Sequence, residues 1–306
     1  MNTPVTVLLA LYNGAEHLPH QLESLKNQSL RPRRIVASDD GSSDDTKAIF
    51  LQFMEAWPDC EAVLLDGPRS GSDRNFLELL RQPGDCELVA LCDQDDVWLP
   101  DKLERAARSL SEARGEPALY GSRTKVCDTN LRPMYLSRLM RPPFDFRHAL
   151  VQNFAGGNTQ VLNKEAFKIV RELALKVKDI SAHDLWLYQV ISAVGGTVIF
   201  DAEPTLLYRQ HGGSVIGDAR QPSAIKTRAA LVRNGTYQQW ITTNLATLDL
   251  IEDRLSPQTI DVMNKFRAAR DSGMLGRLLL ILRAGLRRHG MLGQLALYWA
   301  AANGKL

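Results

Sequence analysis

The chain has 306 residues, 44% hydrophobic and 24% charged, which suits an ordinary soluble globular protein of one large domain or a domain with an appendage. The net charge of +2 points to no partner. Cys60, Cys86, Cys92 and Cys127 form no CxxC and no metal-finger spacing, which argues for small buried thiols in a reducing compartment. No run reaches about 18 uninterrupted apolar residues, so no bilayer span is expected. The first apolar run lacks a basic lead-in, so no signal peptide is read and a cytoplasmic location is expected.

In chain order, residues 4–11 (PVTVLLAL) read as a buried strand stopped by Tyr12-Asn13-Gly14, and residues 15–28 as a helix with Leu18, Leu22 and Leu25 at helical spacing. Residues 33–38 are a second strand ending in Asp39-Asp40-Gly41-Ser42, and Ser42 or Ser43 provides an N-cap environment for a helix to about Trp57. Residues 61–65 are a third strand, and a short helix holds residues 75–80. The fourth strand, Leu88-Val89-Ala90-Leu91-Cys92, drives into Asp93-Gln94-Asp95-Asp96, and a helix over about 100–113 follows. This alternation predicts a mostly parallel sheet with right-handed crossovers. Beyond it, residues 118–126 and 154–162 read as strands, 164–175 and 183–194 as helices, 197–200 and 205–209 as late strands. Past Pro222 the pattern is helical.

Ligands of open α/β sheets bind beyond the carboxyl ends of the strands. Three strand ends deliver polar residues there, at Tyr12-Asn13, Asp39-Asp40-Gly41-Ser42 and Asp93-Gln94-Asp95-Asp96. Alternation along a strand puts Asp93 and Asp95 on one side and Asp96 on the other, where it serves the turn. Two close carboxylates suit a hard cation, Mg2+ or Mn2+, that also binds phosphate oxygens. The plainer alternative is a solvated loop with one helix cap. Together the three ends suggest a nucleotide-diphosphate pocket, in which Asp39 accepts the imide N–H of a uracil or thymine and Tyr12 stacks on the base.

The order strand–Tyr-Asn-Gly, strand–Asp-Asp-Gly-Ser, strand–Asp-x-Asp-Asp resembles the family 2 glycosyltransferases of the GT-A fold, over roughly residues 4–215. Cys92-Asp93-Gln94-Asp95-Asp96-Val97-Trp98, with Tyr208-Arg209-Gln210-His211 later, is similar to bacterial rhamnosyltransferases of cell-envelope polysaccharide synthesis. The resemblance implies an α/β catalytic domain over 1–220, with a nucleotide-sugar half (1–115) and an acceptor half (116–220), and a helical C-terminal region over 221–306. It implies nucleotide contacts at Ala10, Tyr12, Asp39, Arg74 and Asp93, a metal on Asp95 with Asp93 and His211, and an acceptor site at Gly157, Asn158 and Trp186. His183-Asp184-Leu185-Trp186 matches the position of the family's general base, which nominates Asp184; capping the following helix is its alternative role. The implied donor is dTDP-L-rhamnose, and the acceptor a lipopolysaccharide core, O-antigen or related saccharide or glycolipid.

Residues 267–306 carry seven Lys/Arg and one Asp, a balance of +6 against −4 for the rest of the chain. On a helical wheel Leu275, Leu278, Leu279, Ile281, Leu282 and Leu286 share one side, Arg277, Arg283, Arg287 and Arg288 the other, and Leu280 is out of place. Such a helix, followed by an apolar one at 291–302, suits an anionic inner-membrane surface, or packing on the catalytic domain or a second subunit. Basic residues confined to an apolar tail give no support to nucleic-acid binding. A haloacid-dehalogenase-like phosphatase would make Asp93 a nucleophile, but Gly217-Asp218 lacks the further acidic residue which that chemistry needs. A nucleotidyltransferase would need a basic, Gly-rich first loop. A catalytically silent scaffold is the non-enzymatic alternative.

Overall fold

The computed structural model describes residues 3–82, 86–210 and 230–306. Strand–helix alternation opens the chain: β1 (Val5–Leu11), α1 (Leu18–Lys26), β2 (Arg34–Asp39), α2 (Thr46–Glu55), β3 (Glu61–Asp66), α3 (Ser72–Arg81), β4 (Leu88–Asp93), β5 (Val97–Trp98) and α4 (Lys102–Ser111). Then come β6 (Ala118–Cys127), β7 (Pro133–Leu136), α5 (Phe146–Ala149), β8 (Val161–Asn163), α6 (Lys164–Ala174), α7 (His183–Ala193) and β9 (Thr197–Arg209). The C-terminal helices are α8 (Thr236–Leu248), α9 (Pro257–Asp271), α10 (Met274–Ala284) and α11 (Met291–Ala302).

One mixed sheet runs β3-β2-β1-β4-β8-β6-β9-β5, with β7 on β6. The first four strands pair in parallel, as alternation predicts, with β8 antiparallel to both β4 and β6 and β9 parallel to β6. Because β1–β4 are covered on both faces, their apolar residues divide between two cores. Val7, Leu9, Ile35 and Cys92 pack with α1, α2 and α4. Leu8, Val36, Val89 and Leu91 pack with α3, α6 and α7. Asp93 follows Val89 and Leu91 in the period-2 pattern, so the strand aims it at the α3–α7 side.

Two expectations are corrected. The strand predicted over 154–162 is a single 3-10 turn, Gly157–Thr159, before the three-residue β8. Local bonds there replace a ladder: Thr159 Oγ1 donates to Gly156 O at 2.7 Å and Gln160 Nε2 to Ala155 O at 3.3 Å. The two late strands are one, β9, whose register against β6 shifts beside Pro204 and so absorbs a residue that cannot donate to a ladder.

The C-terminal helices join the same core. Ile241, Phe266, Ile281, Leu297 and Leu306 are buried with residues of α6 and α7. On α10 the buried side is Ile281 and Ala284, with Leu278 and Leu280 packed alongside, so the Leu280 that looked misplaced faces inward. Leu275, Leu279 and Leu282, grouped with Ile281 on the helical wheel, are exposed. The four arginines are likewise dispersed: Arg277 donates to Ser272 O and Ala301 O, Arg287 pairs with Asp145, and Arg283 is exposed. Among the described residues no helix is long and apolar enough to cross a membrane.

Candidate active site

A cavity of about 1360 Å³ opens at the carboxyl ends of β1, β2 and β4 and continues between α3, α7 and the C-terminal helices. The wall at these strand ends is laced together by short polar residues. Gln94 clamps the tips of β1 and β4, accepting from Tyr12 N at 2.8 Å and donating to Tyr12 O at 2.6 Å. A Cβ at Gly14 would come within 2.2 Å of Gln94 Oε1, so a larger residue there would push the Gln94 side chain out of this clamp. Asn13 N donates to Ser42 Oγ at 2.9 Å and Ser43 N to Asn13 Oδ1 at 2.8 Å, so the first two motifs are fastened to each other. Ala10 and Tyr12 line the cavity, and Tyr12 remains 56% exposed, a free aromatic face.

Asp39 is buried at the end of β2. Its Oδ2 accepts from Gly41 N and Ser42 N at 3.1 and 3.0 Å and lies 3.5 Å from Lys47 Nζ, while Oδ1 has no partner. An unmet buried acceptor is costly and is relieved by a donor such as an imide N–H. Asp40 holds the loop after β3, accepting from Ser70 N and Gly71 N at 3.1 and 2.7 Å. That loop places Arg69 over Gly41 and into the cavity wall. Arg74, the arginine nominated from sequence, forks instead onto Asp179 at 3.2 and 3.0 Å and does not line the cavity.

Asp93 and Asp95 both line the cavity. Burial, and then the Asp95 charge, push the Asp93 carboxyl up to about 7. A divalent cation fits such a pair, since it removes the repulsion that burial magnifies. No cluster of three or more potential ligands occurs among the described residues. The two carboxylates would therefore supply one or two ligands, as is usual for Mg2+ or Mn2+ held with phosphate oxygens. His211, the other nominated ligand, lies outside the described residues.

Asp96, assigned from sequence to the turn alone, is fully buried. It accepts from Asn158 Nδ2 at 2.5 Å and from Arg209 N at 3.3 Å, tying the β4 tip to the turn before β8 and to the end of β9. Burial, then the charges of Asp95 and Asp93, raise its carboxyl well above the usual range. Lys102 is buried nearby, over the Trp98 ring at 4.4 Å and donating to Thr159 O at 3.1 Å. Its ammonium is lowered to about 7, mainly by burial.

Asp184 sits in the first turn of α7 and lines the same cavity. It does not cap the helix. Its Oδ2 accepts from Asn153 Nδ2 at 2.7 Å and Oδ1 from Leu185 N at 2.8 Å. Burial raises its pKa, opposed by the neighbouring His183 and by these hydrogen bonds. Gly157 and Asn158 line the cavity beside it, and a Cβ on Gly157 would meet His183 Nε2 at 2.4 Å. Trp186, nominated for the acceptor, is fully buried with Nε1 donating to Thr247 Oγ1 at 2.8 Å. It belongs to the α7–α8 contact, because two residues along the helix rotate it about 200° away from Asp184.

Residues 6–169 match the family described as Glycosyl transferase family 2. The chain belongs to that family, has the GT-A fold and is a glycosyltransferase. A "dTDP-rhamnosyl transferase RfbG" of Shigella flexneri is 27% identical over 242 residues, which span 76% of this chain and 82% of that one. Among solved structures, mannosyltransferase PcManGT from Pyrobaculum calidifontis, in complex with GDP-Man and Mn2+, superposes with a TM-score of 0.50 at 18% identity, over 99% of this chain and 86% of that one. The 1–349 fragment of S. aureus TarS superposes with a TM-score of 0.51 at 14% identity, over 98% and 90%. These last two likenesses concern the fold. Family membership removes the phosphatase and nucleotidyltransferase alternatives.

Proposed function

We propose that the protein transfers L-rhamnose from dTDP-L-rhamnose to a saccharide or glycolipid acceptor of the cell envelope, with inversion at the anomeric carbon. The observation that carries this is the meeting of Asp93, Asp95 and Asp184 in one cavity. The similarity to a dTDP-rhamnosyl transferase supports the choice of donor. Tyr12 stacks on the thymine, and the unpartnered Asp39 Oδ1 accepts its N3–H. Arg69 approaches from the β3 loop. Asp95, with Asp93, would hold Mg2+ or Mn2+, which supplies charge neutralisation for a departing diphosphate when bound.

Asp184 accepts the proton of an acceptor hydroxyl. The hydroxyl oxygen forms the new bond to the anomeric carbon, while the bond from that carbon to the diphosphate oxygen breaks and its electron pair leaves with the nucleotide. Asn153 orients the Asp184 carboxylate, and the chain around Gly157 and Asn158 lines the acceptor approach. The exposed apolar face of α10 and α11, with the excess positive charge of the last 40 residues, suits the protein to an anionic cytoplasmic leaflet where a glycolipid acceptor would be presented.

A thermal-shift screen of nucleotide sugars with Mn2+ tests the donor assignment. The expected result is the largest stabilisation by dTDP-L-rhamnose, by about 3 kcal/mol at a hundredfold excess over Kd. A larger shift with a UDP- or GDP-sugar would reassign the donor.

A further inference from the structure

The helix that presents Asp184 starts without a cap of its own. Its N-cap residue is Ala182, which has no side-chain acceptor and is held in the left-handed region at φ 49. The cap comes from another element. Asp73, in the first turn of α3, accepts from Ala182 N at 2.8 Å through Oδ2 and from His183 N at 2.9 Å through Oδ1. The same Oδ1 lies 3.1 Å from His183 Nδ1, so this nitrogen carries the proton. The His183 ring is stacked on Phe76 of α3, with centroids 4.0 Å apart, and its buried Nε2 rests against Gly157 without a partner.

We propose that Asp73 is the positioning residue for Asp184 and that it acts through His183. This rests on the reading of Asp184 as the base. Three hydrogen bonds and one ring stack fix residues 182 and 183 from α3, and the backbone of Asp184 is fixed with them. With capping done by Asp73, the Asp184 carboxylate is free to face the cavity. Its remaining partners are Asn153 and the Leu185 amide. The origin of Asp73 adds a consequence. α3 follows directly on the Ser70–Gly71 loop that Asp40 holds beside Asp39, so one element carries both the nucleotide-side wall and the anchor of the base. Closure of the nucleotide wall and alignment of the base are thereby coupled through a single short helix.

The test compares Asp73→Ala, His183→Ala and His183→Asn with the wild type, using full-length protein, dTDP-L-rhamnose and Mn2+ with water as the acceptor whose proton Asp184 takes, and with nucleotide release followed. The amide Nδ2 of an asparagine falls where His183 Nδ1 now lies, so His183→Asn keeps the bond to Asp73. Asp73→Ala and His183→Ala should lower kcat about 100-fold, the effect of a misplaced reacting group, and leave the donor KM within about 3-fold. His183→Asn should recover about 10-fold of the His183→Ala loss. A His183→Asn enzyme no better than His183→Ala would mean that Nε2 itself is used, and would overturn the assignment, as would a loss confined to KM. Should the wild type release no nucleotide from this donor, the donor reading fails while the coupling is still decided by histidine-ring NMR. There the Nδ1-protonated His183 signal should disappear in Asp73→Ala, and an unchanged ring signal would sink the proposal.

Discussion

Asp93 concentrates the pH sensitivity of the site. Its carboxyl is held up to about 7 by burial and by Asp95, whereas in an unfolded chain it titrates near the ordinary carboxylate value. The folded protein therefore keeps a proton that the unfolded chain has released. From about pH 4 to about pH 7 the contribution of Asp93 to stability falls as pH rises, and below that window the penalty is absent. A cation bound by ionised Asp93 and Asp95 reverses the trend. Relative to an Asp93→Asn variant, the wild-type Tm should drop between about pH 5 and about pH 7.5 without metal, and the wild type should show a Tm increase with Mn2+ that is larger at the higher pH. Equal Mn2+ increments at both pH values, or an undiminished increment in Asp95→Ala, would contradict the metal assignment. At this scale the sequence was informative where a residue ends a strand or starts a helix, as do Asp39, Asp93, Asp95 and Asp184. It was silent on Asp73 and Arg69, which act across the fold: Asp73 meets Ala182, 109 positions away. Asp96 was misread because alternation gives direction but not depth. Its partner Asn158 lies 62 residues on.

Among elements, β1–β4 were legible because both-face burial leaves continuous apolar runs that no other structure explains. The turn at 157–159 was not. Its glycines and threonine read equally well as a strand entry until Asp96 and Gly156 take up their hydrogen bonds. Trp186 shows the same limit, since α7 is buried on nearly all sides and no face stands out by periodicity. On the C-terminal helices the packed and exposed faces of α10 are rotated relative to the wheel. They leave Leu275 76%, Leu292 80% and Trp299 60% exposed. Large apolar side chains exposed on two helices packed against each other suit an interaction surface. Flotation of the full-length protein with vesicles containing phosphatidylglycerol should carry it upward, and the double variant Leu275→Asp/Leu292→Asp should remain below. Equal flotation of the two, or a dimer that persists while neither floats, would remove the membrane as the partner of this face.

The whole molecule brings two halves of one sheet around one cavity. The ends of β1, β2 and β4 supply Tyr12, Asp40, Asp93 and Asp95, and the segment after β6 supplies Asn153, Gly157 and Asp184. Their joints are polar and wholly or partly buried: Asp96 to Asn158, Asp73 to the start of α7, and Arg209 Nε to Asp95 O at 2.9 Å. Such joints make the two substrates' relative geometry a property of the fold, which is what a displacement between two bound molecules demands. In the proposed reaction Asp184 takes the acceptor proton in transfer from a deoxythymidine-diphosphate sugar. The most direct measurement is the rate of rhamnosyl transfer by wild type and Asp184→Asn at saturating dTDP-L-rhamnose, with dTDP affinity measured on the same samples. Loss of transfer by about 100-fold or more, with dTDP affinity unchanged, is the expected result; transfer by Asp184→Asn at the wild-type rate would contradict it.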